Sequence, residues 1–177
     1  LTRGQMILEE LFPGLKDELI AAGAPVLEVG SDSAWYSRFG WAIPFHSGIK
    51  MIALSRGLLD FCVRRRMNAI ANVRFLEGAT VTKLLANADN TGIAGVSVRW
   101  RNPSDDSISE EQLFADLVVD ASGKTSKAPD WLKELGYIPP KETVVNPFVG
   151  YASRIYRRPE NFKAEWRSLF VQAAPPE

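Results

Sequence analysis

Apolar residues recur at a helical interval near the start of the chain: Met6, Ile7, Leu8, Leu11, Phe12, Leu15, Leu19 and Ile20. The spacing predicts helix over Gln5–Ala22. Pro13-Gly14 divides it into two short helices or one broken one, and Gly23 stands where a helix stops. The aromatic stretch from Ala34 to Phe45 suits one or two extended strands. A second helix is predicted from Ser55: a serine N-cap precedes it, Leu59, Cys62, Val63 and Ile70 fall on one face, and Arg64, Arg65 and Arg66 lie toward the end that the helix dipole makes negative.

After this helix the period changes to two. Val73–Leu76, Thr80–Leu85, Ile93–Trp100 and Ser107–Phe114 read as strands, separated by turn clusters at Glu77-Gly78, at residues 87–92 and at residues 102–106. The last three predict an antiparallel meander. Asp116–Ala121 is a short continuous apolar run, the pattern of a strand buried on both faces. A Gly-containing loop follows through Ser126, then a short helix at Asp130–Leu135, then a long strand from Thr143 to Tyr156 with Pro147 marking a bulge or edge. The order of elements is that of an α/β protein.

Two places carry candidate chemistry. Open α/β sheets bind ligands beyond the carboxyl ends of their strands, and Asp120 with the Ser122-Gly123-Lys124-Thr125-Ser126 loop occupies such an end. Gly123 lets backbone approach a ligand and the hydroxyls offer hydrogen bonds; a plain capped turn uses the same residues. The Gly123-Lys124-Thr125 triplet is not a phosphate-cradling P-loop, because the first glycine of that motif would fall on Val118. Arg56 is the second place. It sits in the first turn of a helix, where the dipole disfavours a cation by up to about 1 kcal/mol, so an anionic partner such as phosphate is the better reason for it. Elsewhere the blander readings win. His46 is the one histidine and reads as a structural or surface residue; Cys62 reads as a small core hydrophobe; Arg64, Arg65 and Arg66 read as a solvated helix end; Trp35, Tyr36, Phe39 and Trp41 read as core.

Composition narrows the classes. With 46% apolar and 24% charged residues the chain is of the folded kind. Twenty-one basic residues against 21 acidic ones argue against a strongly basic nucleic-acid binder. A single cysteine excludes an internal disulfide framework and Cys-rich zinc sites. No apolar run approaches the roughly 18 residues needed to span a bilayer. The first twenty residues contain acidic groups and no signal-peptide core, so a reducing cytoplasm is the expected compartment.

The succession of elements resembles the interior of flavin-dependent monooxygenases of the para-hydroxybenzoate hydroxylase type, a group that includes flavin-dependent halogenases and geranylgeranyl-reductase-like oxidoreductases. Four stretches carry the likeness: Leu54–Leu59, Glu77–Val81, Ala115–Ser126 and Trp131–Tyr137. The resemblance implies a partial FAD-binding, Rossmann-like domain over residues 1–140, containing a meander at 79–114, and the start of a substrate-binding domain over 141–177. It implies FAD as cofactor and a small organic molecule as substrate. Arg56 would neutralise phosphate charge, Val81 would pack on the adenine side, and Asp120 with Ser122 would hold ribose hydroxyls beside Gly123. Ser122 stands where the family has an Asp tied to the nicotinamide cofactor, which argues against NADPH.

No G-x-G-x-x-G occurs in the chain and its first residue is Leu1 rather than Met. The expectation is the middle part of a longer flavoenzyme, binding FAD weakly or not at all by itself and able to self-associate through an exposed sheet edge. The competing expectation is a non-catalytic binding module built on the meander, or a decayed enzyme remnant. A nicotinamide-dependent enzyme without flavin would need the same missing glycines.

Overall fold

A computed structural model describes residues 2–101 and 107–173. The turn expected at residues 102–106 lies outside the described residues. The chain divides into two compact units, Leu1–Arg74 with Arg154–Glu177, and Phe75–Ser153.

The first unit opens with the broken helix that the sequence predicts: α1 is Thr2–Leu11 and α2 is Leu15–Ala21. Glu9 bridges the break. Its carboxylate accepts hydrogen bonds from the backbone N–H groups of Gly14 (2.6 Å) and Lys16 (2.8 Å), two donors that the start of α2 would otherwise leave unmet. The second predicted helix is α3, Arg56–Asn68, and the Ser55 hydroxyl accepts from the Leu58 N–H at 3.2 Å, the N-cap read from sequence. Leu15, Leu19, Ala24 and Cys62 form the buried cluster where α2 and α3 meet. Burial of Cys62 agrees with its reading as a core hydrophobe.

Arg65 and Arg66 do not form the solvated helix end that the sequence suggested. Glu18 of α2 accepts from Arg65 Nη2 at 2.6 Å and from Arg66 Nε at 2.7 Å, and Arg66 Nη1 also donates to the Pro13 carbonyl at 2.8 Å. The partner is 47 residues from Arg65 and 48 from Arg66 along the chain, so no local pattern announces it.

Two small sheets complete this unit. β1 (Val26–Glu28) and β4 (Lys50–Ile52) pair antiparallel. β2 (Ser33–Ser37) forms a hairpin with β3 (Gly40–Trp41) and a parallel pair with β8 (Ser168–Val171). The aromatic stretch is extended, as expected, but it is not core. Trp35, Tyr36, Phe39 and Trp41 are all exposed, because this three-stranded sheet has no layer packed over them among the described residues. Trp35 stacks on Phe170 across the parallel pair with ring centroids 5.2 Å apart.

The second unit contains the predicted meander: β5 (Ala79–Ala86), β6 (Ile93–Arg101) and β7 (Ile108–Phe114), antiparallel in that order. The β5–β6 turn is fastened by Asn87 Oδ1, which accepts from the N–H groups of Thr91 (2.9 Å) and Gly92 (3.0 Å). Tyr137 donates its hydroxyl to the Asn90 carbonyl at 2.8 Å, tying the chain after α4 (Ala128–Glu134) to that turn.

Three predicted strands are not strands here. Val73–Leu76 is irregular chain. Asp116–Ala121 is in no ladder, and Leu117 and Val119 are each 76% exposed rather than buried. Thr143–Tyr156 is also in no ladder, and it is exposed throughout. Strand propensity in these runs meets no neighbouring strand among the described residues, and a segment without cross-strand partners gains no ladder hydrogen bonds. The result is a mixed α/β chain with small sheets.

Candidate functional site

The loop after residue 119 is organised around one carboxylate. Asp120 Oδ1 accepts from the Ser122 N–H at 2.9 Å and from the Ser122 hydroxyl at 2.6 Å, while Oδ2 accepts from the Ser126 hydroxyl. The Ser126 oxygen in turn accepts from the Ala128 N–H at 3.0 Å, so the knot runs into the first turn of α4. Hydrogen bonds from the Ser122 hydroxyl, the Ser126 hydroxyl and the Ser122 N–H hold the Asp120 carboxyl below the usual aspartate range. Asp120 is an anion at neutral pH.

Gly123 begins a 3-10 turn, Gly123–Thr125, with φ +78°, a conformation that strains any residue with a side chain. Apart from its two chain neighbours, no atom of the described residues lies within 4 Å of where a Cβ would stand. The loop is therefore open on that side. Its chemistry follows from where the protons are. Both serine hydroxyls spend their hydrogens on Asp120, leaving oxygen lone pairs, and an ionised carboxylate has about four acceptor positions, of which three are used. The Asp120 side of the loop presents acceptors to an incoming donor, which suits the hydroxyls of a polyol.

Of the sequence-predicted residues, the structure brings Asp120, Ser122 and Gly123 together in this loop. Val81 lies on β5 opposite Val98, beside the register shift that separates it from Lys83. Arg56 belongs to the first unit. Its Nε reaches Asp60 Oδ1 at 3.0 Å, one helical turn on, and its side chain is 87% exposed. The anion that its position called for is supplied by Asp60, so the placement of Arg56 is accounted for without an external phosphate.

His46 is on the surface, with Nδ1 3.6 Å from Glu28 Oε1. Among the described residues no group of His, Cys, Asp and Glu could hold a metal ion, and no helix is long and apolar enough to cross a membrane.

Sequence reasoning missed one feature of the first unit. A half-open apolar cavity of about 460 Å³ lies among α1, α2, β1, β4 and the start of α3, lined by Leu8, Leu19, Leu27, Met51 and Leu59 with Gln5 and Glu9 at its polar side. Backbone hydrogen bonds from Lys16 and Gly14 keep the Glu9 carboxyl below its usual range. Five separate elements contribute the lining, and no single stretch of sequence carries its signature.

No family model matches the chain. Protein Rv3254 of Mycobacterium tuberculosis (strain ATCC 25618 / H37Rv) is 31% identical to it over 169 residues, which is 93% of this chain and 35% of that protein. The chain thus spans about a third of the length of the curated relative it matches.

Proposed function

We propose that the chain is a stretch of a longer FAD-dependent oxidoreductase of monooxygenase type, acting on a small organic substrate. The observation that carries the reading is the Asp120 loop: an ionised carboxylate with an unused acceptor position, two serine oxygens beside it, and an open glycine at positive φ. This set of acceptors fits the hydroxyls of a ribose or ribityl chain. The resemblance in Ala115–Ser126 selects FAD among the molecules that bear such hydroxyls.

FAD supplies redox chemistry when bound. The residues of this chain bind and orient. Asp120 accepts sugar hydroxyls, Ser122 and Ser126 fix the carboxylate's rotation, and Gly123 permits close approach. Val81, in the same unit as this loop, would lie toward the adenine. Ser122, in the place of the family's acidic residue, speaks against NADPH. One loop cannot hold a dinucleotide, and the chain has no Gly-rich pyrophosphate turn, so its own affinity for FAD is low.

Flavin fluorescence tests this reading. Titrating FAD into the chain alone should give no stoichiometric quenching. The longer protein that includes it should purify yellow, and Asp120→Ala should weaken its FAD binding by roughly tenfold or more, the expected loss of charge-assisted hydrogen bonds. Asp120→Asn, which keeps the shape of the loop, should weaken it too. A longer protein that is colourless and takes up no FAD would overturn the reading; full affinity in both variants would remove this loop from the site.

A further inference from the structure

The chain leaves far more surface in water than a folded protein of its mass. It exposes 15154 Å² at 19.6 kDa. A compact monomer of that mass exposes about 8,600 Å², and two independently folded halves would expose about 10,300 Å². The excess is roughly 4,800 Å², while a standard interface buries about 800 Å² per partner.

Much of the excess is apolar, and it lies in segments with strand character. In the run 116–121, Leu117 and Val119 face solvent. In the run 143–156, strand alternation would put Val145, Tyr151 and Ile155 on one face and Val144, Phe148 and Tyr156 on the other; here the run is irregular, with Phe148 at φ +53°, and all six are exposed, Tyr151 to 95% and Ile155 to 99%. A strand that is apolar on both faces is the pattern of one covered on both faces, with neighbours on its edges. The sheet formed by β3, β2 and β8 adds a third area. Trp35 and Phe170 occupy one side and Tyr36 and Trp41 pair elsewhere on it with ring centroids 4.9 Å apart, all of them exposed.

Two occupants can be weighed against this. A second copy of the chain, docked about a two-fold axis, covers one self-complementary patch per molecule. It leaves the remaining areas, and at least one face of the 143–156 run, in water. A polypeptide larger than the chain itself can reach all of them. Rv3254 points to such a polypeptide, since 35% of its length matches this chain and most of it lies outside the match.

We infer that residues 116–121 and 143–156 are strands completed by flanking polypeptide of a longer protein, which pairs with their edges and covers their apolar faces. This inference extends the proposed function, using its premise of a longer protein but not its cofactor. Flavin content does not enter the readout below, so failure of the FAD reading and failure of this one are distinguishable.

Amide hydrogen exchange provides the test, on the chain and on the longer protein that contains it. In the chain, amides of 117–121 and 143–156 (Pro147 aside) should exchange at nearly the intrinsic rate at every protein concentration, while those of α3 are protected. In the longer protein the same amides should slow by about 100-fold or more. Ile155→Asp in the longer protein should release the protection of 143–156 and leave that of α3 in place. Three results would overturn the inference: protection in the chain alone that grows with its concentration, which makes a second copy the occupant; the same segments unprotected in the longer protein; or a reading frame that closes at both ends of this chain.

Discussion

The helical layer of the first unit and the meander of the second are built on different principles. In the helical layer, side chains hold the structure. Leu15, Leu19, Ala24 and Cys62 are shut from water between α2 and α3, and Glu18 ties the same two helices together through Arg65 and Arg66. In the meander, the backbone holds it. β6 is paired along both edges, from Ala79↔Trp100 to Ala86↔Ile93 on one side and from Gly95↔Phe114 to Arg101↔Ile108 on the other, yet among the described residues the buried side chains of the unit come down to Val98 and Ser97. The difference teaches where each is vulnerable: the first to lost volume, the second to anything that forces neighbouring strands apart.

The largest expected effect breaks the first kind of region. Leu15 is 1% exposed, and Leu15→Ala should cost about 2–5 kcal/mol, the usual range for emptying a buried leucine site. Urea unfolding followed by helix circular dichroism should register the loss. A midpoint unmoved by the substitution would mean that the layer is not held by this cluster.

A smaller effect is expected from the converse change. A Cβ on Gly95 would stand 2.1 Å from the Leu113 carbonyl oxygen and 2.9 Å from the Phe114 Cα, both backbone atoms that cannot swing aside. Gly95→Ala adds one carbon and should cost about 1–3 kcal/mol by parting β6 from β7. Faster amide exchange along β7, with α3 unchanged, is the expected signature.

The mildest way to sharpen the comparison is acid. Hydrogen bonding to Arg66, then to Cys62, and the charges of Arg65 and Arg66 hold the Glu18 carboxyl below the ordinary value of 4.5. Its contribution to stability is complete above pH 4.5 and fades as pH falls through the lowered folded value. Asp89 and Asp120 are lowered as well, but their partners lie within six residues, inside turns. Glu9, lowered by backbone hydrogen bonds from Lys16 and Gly14, belongs to the same helical layer. Acidification below 4.5 should therefore loosen the helical layer before the strands, and Glu18→Gln should shrink that step in the helix signal, leaving the share that Glu9 contributes. Simultaneous loss of helix and strand would erase the distinction.

The same contrast explains what the sequence disclosed. The broken first helix, the Ser55 cap and the three meander strands were legible because each depends on residues close together in sequence: a Pro-Gly step, a serine before an apolar face, alternation between turn clusters. The Asp120 loop was legible for the same reason, since its hydrogen bonds span two to six residues. The β1–β4 pair was not, because three-residue strands are too short to show a period. The β2–β8 pair joins Ser33 to Ser168, and nothing in either segment names the other. Arg65 and Arg66 looked solvated because Glu18 is remote. The runs at 116–121 and 143–156 misled in the opposite sense: their pattern is that of strands, and pattern records what a segment prefers, whereas pairing depends on what lies beside it.

The carboxylate that spans the step between the first two helices has a mechanical consequence. Glu9 grips both Gly14 and Lys16 across Pro13, and so the joint that a proline-glycine pair would leave loose becomes a fixed elbow. One carboxylate thus braces the joint between the two rods, and its loss would leave the bend to the proline and glycine alone.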